Sequence, residues 1–229
     1  MQSPIKILFH DDHYIAVHKS ANLLVHRSQI SSDRIFLLNT LRDQINQRIY
    51  PVHRLDRPTS GVIIFGLNPS ATQRLSQLFK DGLVKKTYLA VVRGCVHGTQ
   101  RIDYPLKEGA QTNLKTAITD LQSLATLELP IANSRHTTSR YTFLRLFPKT
   151  GRYHQLRKHL AHISHPVIGD VRHGSGEHNQ IFRTHLNVNR LLLFAESLQF
   201  THPYTDQDVT IRMDPDADFV KVCELFGGL

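Results

Sequence analysis

The residues best suited to chemistry are a carboxylate placed between two arginines. Asp56 lies two positions after Arg54 and directly before Arg57, within residues 53–61 (HRLDRPTSG). Both guanidinium groups favour the ionised form of the carboxylate by direct attraction. Such a group could be a catalytic carboxylate, but a salt-bridged surface turn has the same spacing. Taken alone, the spacing favours the surface turn.

The residues after Asp56 predict an irregular loop that leads into a buried strand. Pro58 cannot continue a helix, and it favours an extended conformation at the residue before it. Residues 59–61 (TSG) are typical of a turn, and the apolar residues 62–65 (VIIF) predict an interior strand. Because catalytic groups are common on loops that a rigid element positions, this context favours a functional role.

A second candidate group lies at the start of another predicted strand. Lys85 and Lys86 precede Tyr88 in the segment KKTY. The lysines could hold phosphates while the tyrosine ring stacks on a base. Packing of the ring in the core is the alternative, and without further context that alternative is favoured.

A helix predicted over residues 153–163 carries the third candidate group. Arg157 lies beside the apolar face of this helix, three residues after His154. It is therefore placed to reach inward, where a carboxylate such as Asp56 is expected, although a solvated basic face is the close alternative. The apolar face itself is predicted to contain Tyr153, Leu156, Leu160 and Ile163.

The charge of the chain favours a polyanionic partner. The 229 residues include 28 Lys and Arg against 19 Asp and Glu, which gives a formal net charge of +9. Nucleic acid is favoured over a membrane surface, because the sequence has no basic amphipathic anchor and no apolar window of membrane-spanning length. The N-terminus lacks an apolar signal core, so we expect a cytoplasmic protein.

The sequence predicts chemistry without a metal or another cofactor. The isolated Cys95 and Cys223 favour neither a disulfide framework nor a cysteine metal site. Residues 154–165 contain four histidines, but this run has no carboxylate and no HExxH pattern. We therefore expect these histidines to lie on the surface or to be satisfied by neighbours. A Gly-rich phosphate loop and a Gly-x-Ser-x-Gly elbow are also missing from the sequence.

The order of predicted elements indicates an α+β fold, with a largely antiparallel mixed sheet flanked by helices and loops. One domain is expected over residues 1–229. Residues 107–140 are polar and are interpreted as a long, partly ordered excursion from the core that forms a binding loop and not a separate domain. Residues 171–187 are interpreted as a second polar loop. Strands are predicted at residues 5–9, 14–17, 62–65, 88–92, 141–147, 191–194, 198–200 and 209–213, and helices at residues 35–49, 69–82, 153–163 and 215–226.

Three motifs together resemble the RluA-type pseudouridine synthases. They are residues 53–61, residues 86–94 (KTYLAVVRG) and residues 150–157 (TGRYHQLR), in the order in which that family has them. The similarity extends from about residue 5 to residue 213. It implies the pseudouridine synthase fold and a cofactor-free isomerase that converts uridine to pseudouridine in RNA.

The resemblance implies a role for each candidate residue. Asp56 would be the catalytic carboxylate that acts on a flipped-out uridine, either at the ribose or at the base. Tyr88 would pack against the uracil, and Arg157 would pair with Asp56 and keep it ionised and oriented. Arg54 would enter the RNA stack and hold the target nucleotide outside it. The residues expected to bind RNA are Arg54, Arg57, Lys85, Lys86 and Arg152.

Further segments resemble the branch of the family that modifies tRNA, which implies a uridine at position 65 of tRNA as the target. They are residues 24–28 (LVHRS), 40–45 (TLRDQI) and 159–170 (HLAHISHPVIGD). The chain begins directly in catalytic-domain sequence, so no S4 RNA-binding domain is expected. RNA contacts would come from the catalytic domain, with residues 107–140 as the candidate. A monomer is expected, since no exposed apolar stripe demands a partner.

Three other functions stay open. The same reaction could take place on another structured RNA, such as ribosomal RNA. A non-catalytic RNA-binding protein of the same fold is the competing class, but intact Asp56, Tyr88 and Arg157 argue against it. A histidine-dependent metallonuclease would bind metal and would lose activity with a chelator.

Overall fold

The protein is represented by a computed structural model that describes residues 4–25, 36–107 and 113–228. Every strand pair whose register is defined is antiparallel, which confirms the predicted α+β class with a largely antiparallel sheet. The strands are β1 (Ile7–His10), β2 (Tyr14–Lys19), β3 (Tyr50–Pro51), β4 (Ser60–Gly66), β5 (Lys85–Arg93), β6 (Thr99–Asp103), β7 (Leu106–Lys107), β8 (Leu114–Lys115), β9 (Ile118–Leu129), β10 (Ser139–Pro148), β11 (Leu193–Thr201) and β12 (Asp208–Arg212). The helices are α1 (Leu37–Ile45), α2 (Pro69–Lys80), α3 (Gln155–His162), α4 (Gly176–His185) and α5 (Ala217–Glu224).

The chain divides into two compact units. Unit 1 consists of Met1–Lys86 and Ala195–Asp214, and unit 2 consists of Thr87–Phe194 and Pro215–Leu229. The chain therefore passes from one unit to the other three times: within β5, within β11, and between Asp214 and Pro215. The expectation of one catalytic domain over residues 1–229 stays a prediction.

Unit 1 is built on β4, in which every residue is buried. β4 lies next to β2, β2 lies next to β1, and β3 also pairs with β4. The interior strand predicted from the apolar run after Gly61 is therefore confirmed. α2 begins at Pro69, as predicted, and the side chain of Asn68 caps it by accepting a hydrogen bond from Ala71 N at 2.8 Å. The core of this unit contains Tyr14, Ala16, Val62, Ile64, Ala71, Leu75, Val84, Leu198, Phe200 and Ile211.

Unit 2 is built on strands in the order β5-β10-β9-β6. β5 runs antiparallel to β10, with Tyr88 opposite Leu146 and Arg93 opposite Tyr141. α3 packs against these strands because its apolar residues join the same cluster. That cluster contains Ala90, Val92, Val96, Ile102, Leu121, Leu144, Leu146, Leu156, Leu160, Val167, Leu191 and Leu193.

The structure corrects the interpretation of residues 107–140 as a loop. The twelve-residue strand β9 lies within this segment and pairs with both β6 and β10. The polar composition of this segment does not predict a strand. The polar residue Thr119, for example, is fully buried in β9. Its hydroxyl is hydrogen-bonded to Gln155 Nε2 at 3.1 Å and to His159 Nδ1 at 3.0 Å, so a polar side chain occupies a core position. Residues 108–112 lie outside the described residues.

The prediction of a second loop over residues 171–187 is also wrong, because most of this segment forms α4. Two polar residues of this helix are buried and satisfied inside the protein. Asn179 Oδ1 accepts from Gly169 N at 2.7 Å, and His178 Nδ1 is hydrogen-bonded to Tyr141 Oη at 3.0 Å. Sequence patterns treat such residues as exposed, which explains the error.

All four predicted helices are shorter than expected, and a left-handed residue marks one end of two of them. The helix predicted over residues 35–49 is α1, and it ends where Asn46 adopts a left-handed conformation with φ 49°. The helix predicted over residues 153–163 is α3, because His154 adopts a left-handed conformation with φ 55° just before it. Tyr153 therefore lies outside the helix and is 39% exposed, so its place in the apolar face is wrong.

No helix in the described part of the chain is long and apolar enough to cross a membrane.

Gly61 shows why β4 needs glycine at its second residue. Its φ is +120°, and a Cβ there would lie 2.2 Å from the carbonyl oxygen of Ala195. Gly61→Ala should therefore lower the free energy of unfolding by about 3 kcal/mol, measured by urea denaturation followed by circular dichroism. Gly176→Ala is the matched control, because a Cβ there meets nothing within 4 Å, and its effect should stay within about 1 kcal/mol. Equal unfolding midpoints for the two variants would contradict this account.

Candidate active site

Asp56 lies on the loop of residues 52–59, which joins β3 to β4. The residue is half-buried, whereas Arg54 and Arg57 on either side are exposed. The backbone oxygen of Asp56 accepts a hydrogen bond from Thr59 N at 3.1 Å, which closes the turn before β4. The predicted arrangement, a carboxylate on an irregular loop ahead of a buried strand, is confirmed.

The buried ammonium group of Lys19 holds this loop by hydrogen bonds to its backbone. Lys19 is the last residue of β2 and is completely buried. Its Nζ donates hydrogen bonds to the carbonyl oxygens of Ser20 at 3.1 Å, Arg57 at 2.9 Å and Thr59 at 2.6 Å. The backbone just after Asp56 is thereby tied to β2. Sequence reasoning did not identify Lys19 as part of the site, although a lysine that ends an otherwise buried strand is a usable signal.

His53 supports the same loop as a neutral ring. Its Nε2 accepts a hydrogen bond from Ile64 N at 3.2 Å, and the ring stacks on Phe79 with centroids 4.6 Å apart. Burial, aided by the positive charge of Lys86, lowers the pKa of His53 to about 3. An uncharged His53 can therefore accept the β4 hydrogen bond throughout the physiological pH range.

The basic residues that the sequence predicts to bind RNA in unit 1 differ in their exposure and charge. Arg54 is exposed, and Arg57 donates from Nε to Asn22 O at 3.2 Å. At the start of β5, Lys85 is exposed, whereas burial lowers the pKa of Lys86 to about 8. Lys85 is therefore the better placed of the two lysines for a phosphate contact.

Tyr88 lies in β5 within unit 2. Its side chain is partly buried and packs against the core cluster of that unit. The ring therefore packs in the core, as the alternative to base stacking predicts, and it is still partly exposed. Packing from one side and contact with a ligand from the other are compatible for such a ring.

Arg157 forms a buried, bidentate ion pair with Asp170. Its Nε donates to Asp170 Oδ2 at 2.7 Å and its Nη2 to Asp170 Oδ1 at 2.8 Å. Arg157 is 4% exposed and Asp170 is 2% exposed, so the solvated basic face considered for Arg157 is wrong. Asp170 Oδ1 also accepts from the backbone N–H groups of Arg172 at 2.9 Å and His173 at 3.0 Å.

Asp170 stays ionised although it is buried. Burial raises its pKa, but the hydrogen bonds from Arg157 and the backbone of His173 outweigh that effect, and the pKa of Asp170 lies below its ordinary value. Sequence reasoning did not identify Asp170 as the partner of Arg157. A signal was available, because Asp170 is the only acidic residue of the sequence between Glu128 and Glu177.

The turn before α3 is held by side-chain hydrogen bonds. Gln155 Oε1 accepts from Arg152 N at 2.9 Å and from Thr150 Oγ1 at 2.7 Å, while Arg152 Nε donates to Thr116 O at 3.0 Å. Arg152 is half-buried, and these bonds hold both its backbone and its guanidinium at the turn.

The four histidines of residues 154–165 have partners within unit 2. His154 Nδ1 is hydrogen-bonded to His173 Nε2 at 2.9 Å, and His165 Nδ1 is bonded to Arg93 O at 2.8 Å. His159 is bonded to Thr119 and Tyr104, and His162 stacks on Tyr104 with centroids 3.6 Å apart. These contacts confirm the expectation of satisfied or surface histidines.

Each unit thus positions part of the expected site. Unit 1 holds Arg54, Asp56, Arg57, Lys85 and Lys86, and unit 2 holds Tyr88, Arg152 and Arg157. The expected pairing of Arg157 with Asp56 stays a prediction, as do the catalytic and RNA-binding roles.

Breaking the buried pair should be far more harmful than breaking an exposed pair of similar geometry. Asp170→Asn leaves the Arg157 guanidinium buried beside a neutral group, so the free energy of unfolding should fall by about 3–5 kcal/mol. Asp120→Asn is the control, because Asp120 binds Arg101 at 2.7 and 3.0 Å on the surface. Thermal and urea unfolding should show at most a small change for this control. A similar loss in both variants would refute a special role for burial.

The lowered pKa of His53 makes stability depend on pH. Between its ordinary value of 6.5 and about 3, the unfolded chain binds a proton at His53 and the folded protein does not. The free energy of unfolding should therefore decrease from pH 7 to pH 5, and it should decrease less in His53→Gln, whose amide oxygen can still accept from Ile64 N. Nuclear magnetic resonance of the ring nitrogens should show a neutral His53 at pH 5, and a protonated ring there would contradict the assignment.

Comparison with known proteins places the chain in a family. Residues 13–162 match the family described as RNA pseudouridylate synthase. The tRNA pseudouridine synthase C of Vibrio cholerae serotype O1 is 42% identical over 234 residues, which cover 97% of this chain and 96% of the relative. The tRNA pseudouridine synthase C of Pasteurella multocida is 44% identical over 233 residues, with coverage of 97% and 96%.

A solved structure shows the same fold. Human RNA Pseudouridylate Synthase Domain Containing 1 superposes with a TM-score of 0.73 at 24% identity, covering 93% of this chain and 83% of that chain. The resemblance inferred from the three motifs is therefore confirmed. The chain belongs to the RNA pseudouridylate synthase family and is an isomerase that converts uridine to pseudouridine in RNA.

Proposed function

We propose that the enzyme converts uridine to pseudouridine in tRNA, at position 65, with Asp56 as the catalytic carboxylate. The observation that carries the choice of tRNA is the set of relatives named tRNA pseudouridine synthase C, which are 42–44% identical over nearly the full length of both chains. The choice of Asp56 rests on its half-buried position in a loop that Lys19 ties to a buried strand.

The reaction needs no net redox or hydrolytic step. The bond between uracil N1 and ribose C1′ breaks, the uracil rotates, and a bond forms between C5 and C1′. The proton on C5 is lost to solvent, and N1 gains one. The Asp56 carboxylate can assist by adding either to C1′ or to the base, and it is regenerated when the carbon–carbon bond has formed. No metal or nucleotide cofactor is required by this balance.

The other residues are assigned roles that their surroundings support. Tyr88 is partly exposed and packed from behind, so it can hold the uracil ring. Arg157 is proposed to orient Asp56, and its clamp by Asp170 keeps the guanidinium in one conformation. Exposed Arg54 is proposed to fill the space that the flipped nucleotide leaves in the RNA stack.

Phosphate contacts are assigned to the remaining basic residues of the expected site. Lys85 is exposed and is proposed to contact phosphate, as are Arg57 and Arg152, whose Nε atoms each donate to one backbone oxygen. Lys86 is the weakest member of this set, because burial lowers its pKa to about 8. We further propose that the enzyme acts as a monomer in the cytoplasm, where its tRNA substrate is found.

A non-catalytic RNA-binding protein is the second candidate, and it makes the opposite prediction. Asp56→Asn should abolish tritium release from tRNA labelled at uracil C5, because the neutral amide cannot add to the nucleotide. The wild type should release tritium in the presence of a chelator. Asp43→Asn is the control, since Asp43 is exposed and pairs with Arg42 on α1, and it should release tritium like the wild type. If the wild type released no tritium from any RNA pool, the proposal would be wrong.

The target position needs a separate measurement. Carbodiimide treatment followed by reverse transcription should give one new stop, at position 65, in tRNA incubated with the wild type. The stop should be missing with Asp56→Asn. Stops found in ribosomal RNA alone would reassign the substrate and leave the isomerase reaction intact.

A further inference from the structure

Unit 2 contains a basic cleft that the proposed reaction does not use. The cleft has a volume of about 630 Å³ and lies between the end of β5, the start of β10 and the loop of residues 130–138. We call it the arginine cleft, and it is defined by Arg93, Cys95, Ser134, Arg135, Arg140 and Glu177.

Two of its three arginines have most of their donors available. Arg140 lies with Nε 3.8 Å from Glu128 Oε2, and its side chain is 54% exposed. Arg135 is exposed, and its guanidinium makes no hydrogen bond with any residue that the structure describes. Arg93 is more constrained, because its Nη2 donates to Ser164 O at 3.0 Å. A ligand could therefore meet guanidinium groups from three different segments.

The loop that carries Arg135 has a defined conformation. Asn133 Oδ1 accepts from Arg135 N at 3.0 Å and from His136 N at 3.1 Å. Asn133 Nδ2 donates to Thr138 O at 2.8 Å. These bonds close a turn and bring the two ends of the loop together, so Arg135 is presented on an ordered element.

Glu177 anchors this loop to α4. One carboxylate oxygen accepts from the backbone N–H of Ser134 and the other from its hydroxyl at 3.0 Å. These hydrogen bonds lower the pKa of Glu177, so it stays ionised. Glu177 is the one acidic residue among the described residues that line the cleft. Because three guanidinium groups line the same cleft, its net charge is positive.

We propose that the arginine cleft binds backbone phosphates of the RNA substrate, at nucleotides other than the target uridine. The proposal rests on the proposed function, because it takes RNA as the ligand. Guanidinium groups match phosphate oxygens in charge and geometry, and phosphate contacts set the position of an RNA without reading its sequence. The volume is sufficient for a short stretch of backbone.

The cleft lies well away from the residue assigned to the uracil. Tyr88 and Arg93 are five residues apart in the same extended strand, which corresponds to roughly 17 Å at about 3.3 Å per residue. Contacts made at Tyr88 and contacts made at Arg93 must therefore involve different nucleotides. The cleft would help to hold the RNA in register while the target uridine is processed.

Cys95 provides a built-in reporter for the cleft. It lines the cleft and is partly exposed, whereas Cys223 is buried and its pKa is raised to about 12 by burial. In the native protein, N-ethylmaleimide should therefore modify Cys95 selectively, as measured by peptide mass spectrometry. Saturating tRNA should slow this modification at least tenfold. Unchanged modification under conditions where tRNA is fully bound would overturn the proposal.

A charge-matched pair of double variants tests the arginines. Arg135→Ala with Arg140→Ala should weaken tRNA binding about tenfold or more, and should reduce the slope of log K against log salt by about two. Arg183→Ala with Lys221→Ala removes two exposed charges elsewhere in unit 2 and should bind like the wild type. At saturating tRNA the first variant should keep the kcat of the wild type and show a raised KM. Equal affinities for the two variants, or a loss confined to kcat, would overturn the cleft.

The outcomes separate this proposal from the proposed function. If the wild type releases tritium from tRNA but Cys95 is not protected, the cleft is wrong and the isomerase stands. If tRNA protects Cys95 but no tritium is released from any RNA, the cleft stands as an RNA site and the proposed function fails. Protection by polyglutamate and not by tRNA would assign the cleft to an acidic protein and overturn the proposal.

Discussion

The loop that carries Asp56 depends on one buried ammonium group. Lys19 is completely buried, and a buried charge is tolerated only when hydrogen bonds replace the lost water. Its acceptors include the carbonyl oxygens of Arg57 and Thr59, so the backbone after Asp56 must bring both oxygens to one nitrogen. This requirement restrains the loop that carries the carboxylate, and β4, the strand that follows the loop, is buried throughout.

Unit 2 uses the same physical device for Arg157. Both carboxylate oxygens of Asp170 are engaged by its guanidinium, and the turn of residues 170–173 supplies further N–H donors. A buried ion pair contributes little net stability, but it fixes geometry, because moving either partner away leaves the other charge buried without its ion-pair partner. Lys19 and Asp170 share one feature. Each is a buried charged side chain that holds a neighbouring group in position and adds little to the stability of the core.

The sequence predicted best where apolar runs and turn residues coincide. The strand after Gly61, the helix that begins at Pro69 and the strand that contains Tyr88 are all present. Prediction failed for β9 and α4, since both bury polar residues whose hydrogen bonds are made inside the protein. A pattern of apolar and polar letters cannot show that Thr119 or Asn179 has a distant partner.

The candidate site divides in the same way. The sequence by itself determined the family, through three motifs whose residue types and order are specific, and with it the identity of Asp56, Tyr88 and Arg157 as candidates. The tertiary structure alone decided that Lys19 holds the Asp56 loop and that Asp170 holds Arg157. Lys19 lies 38 residues from Arg57 along the chain, and Asp170 lies 13 residues from Arg157. Contacts of this kind depend on how strands and helices pack, and local sequence does not encode that packing.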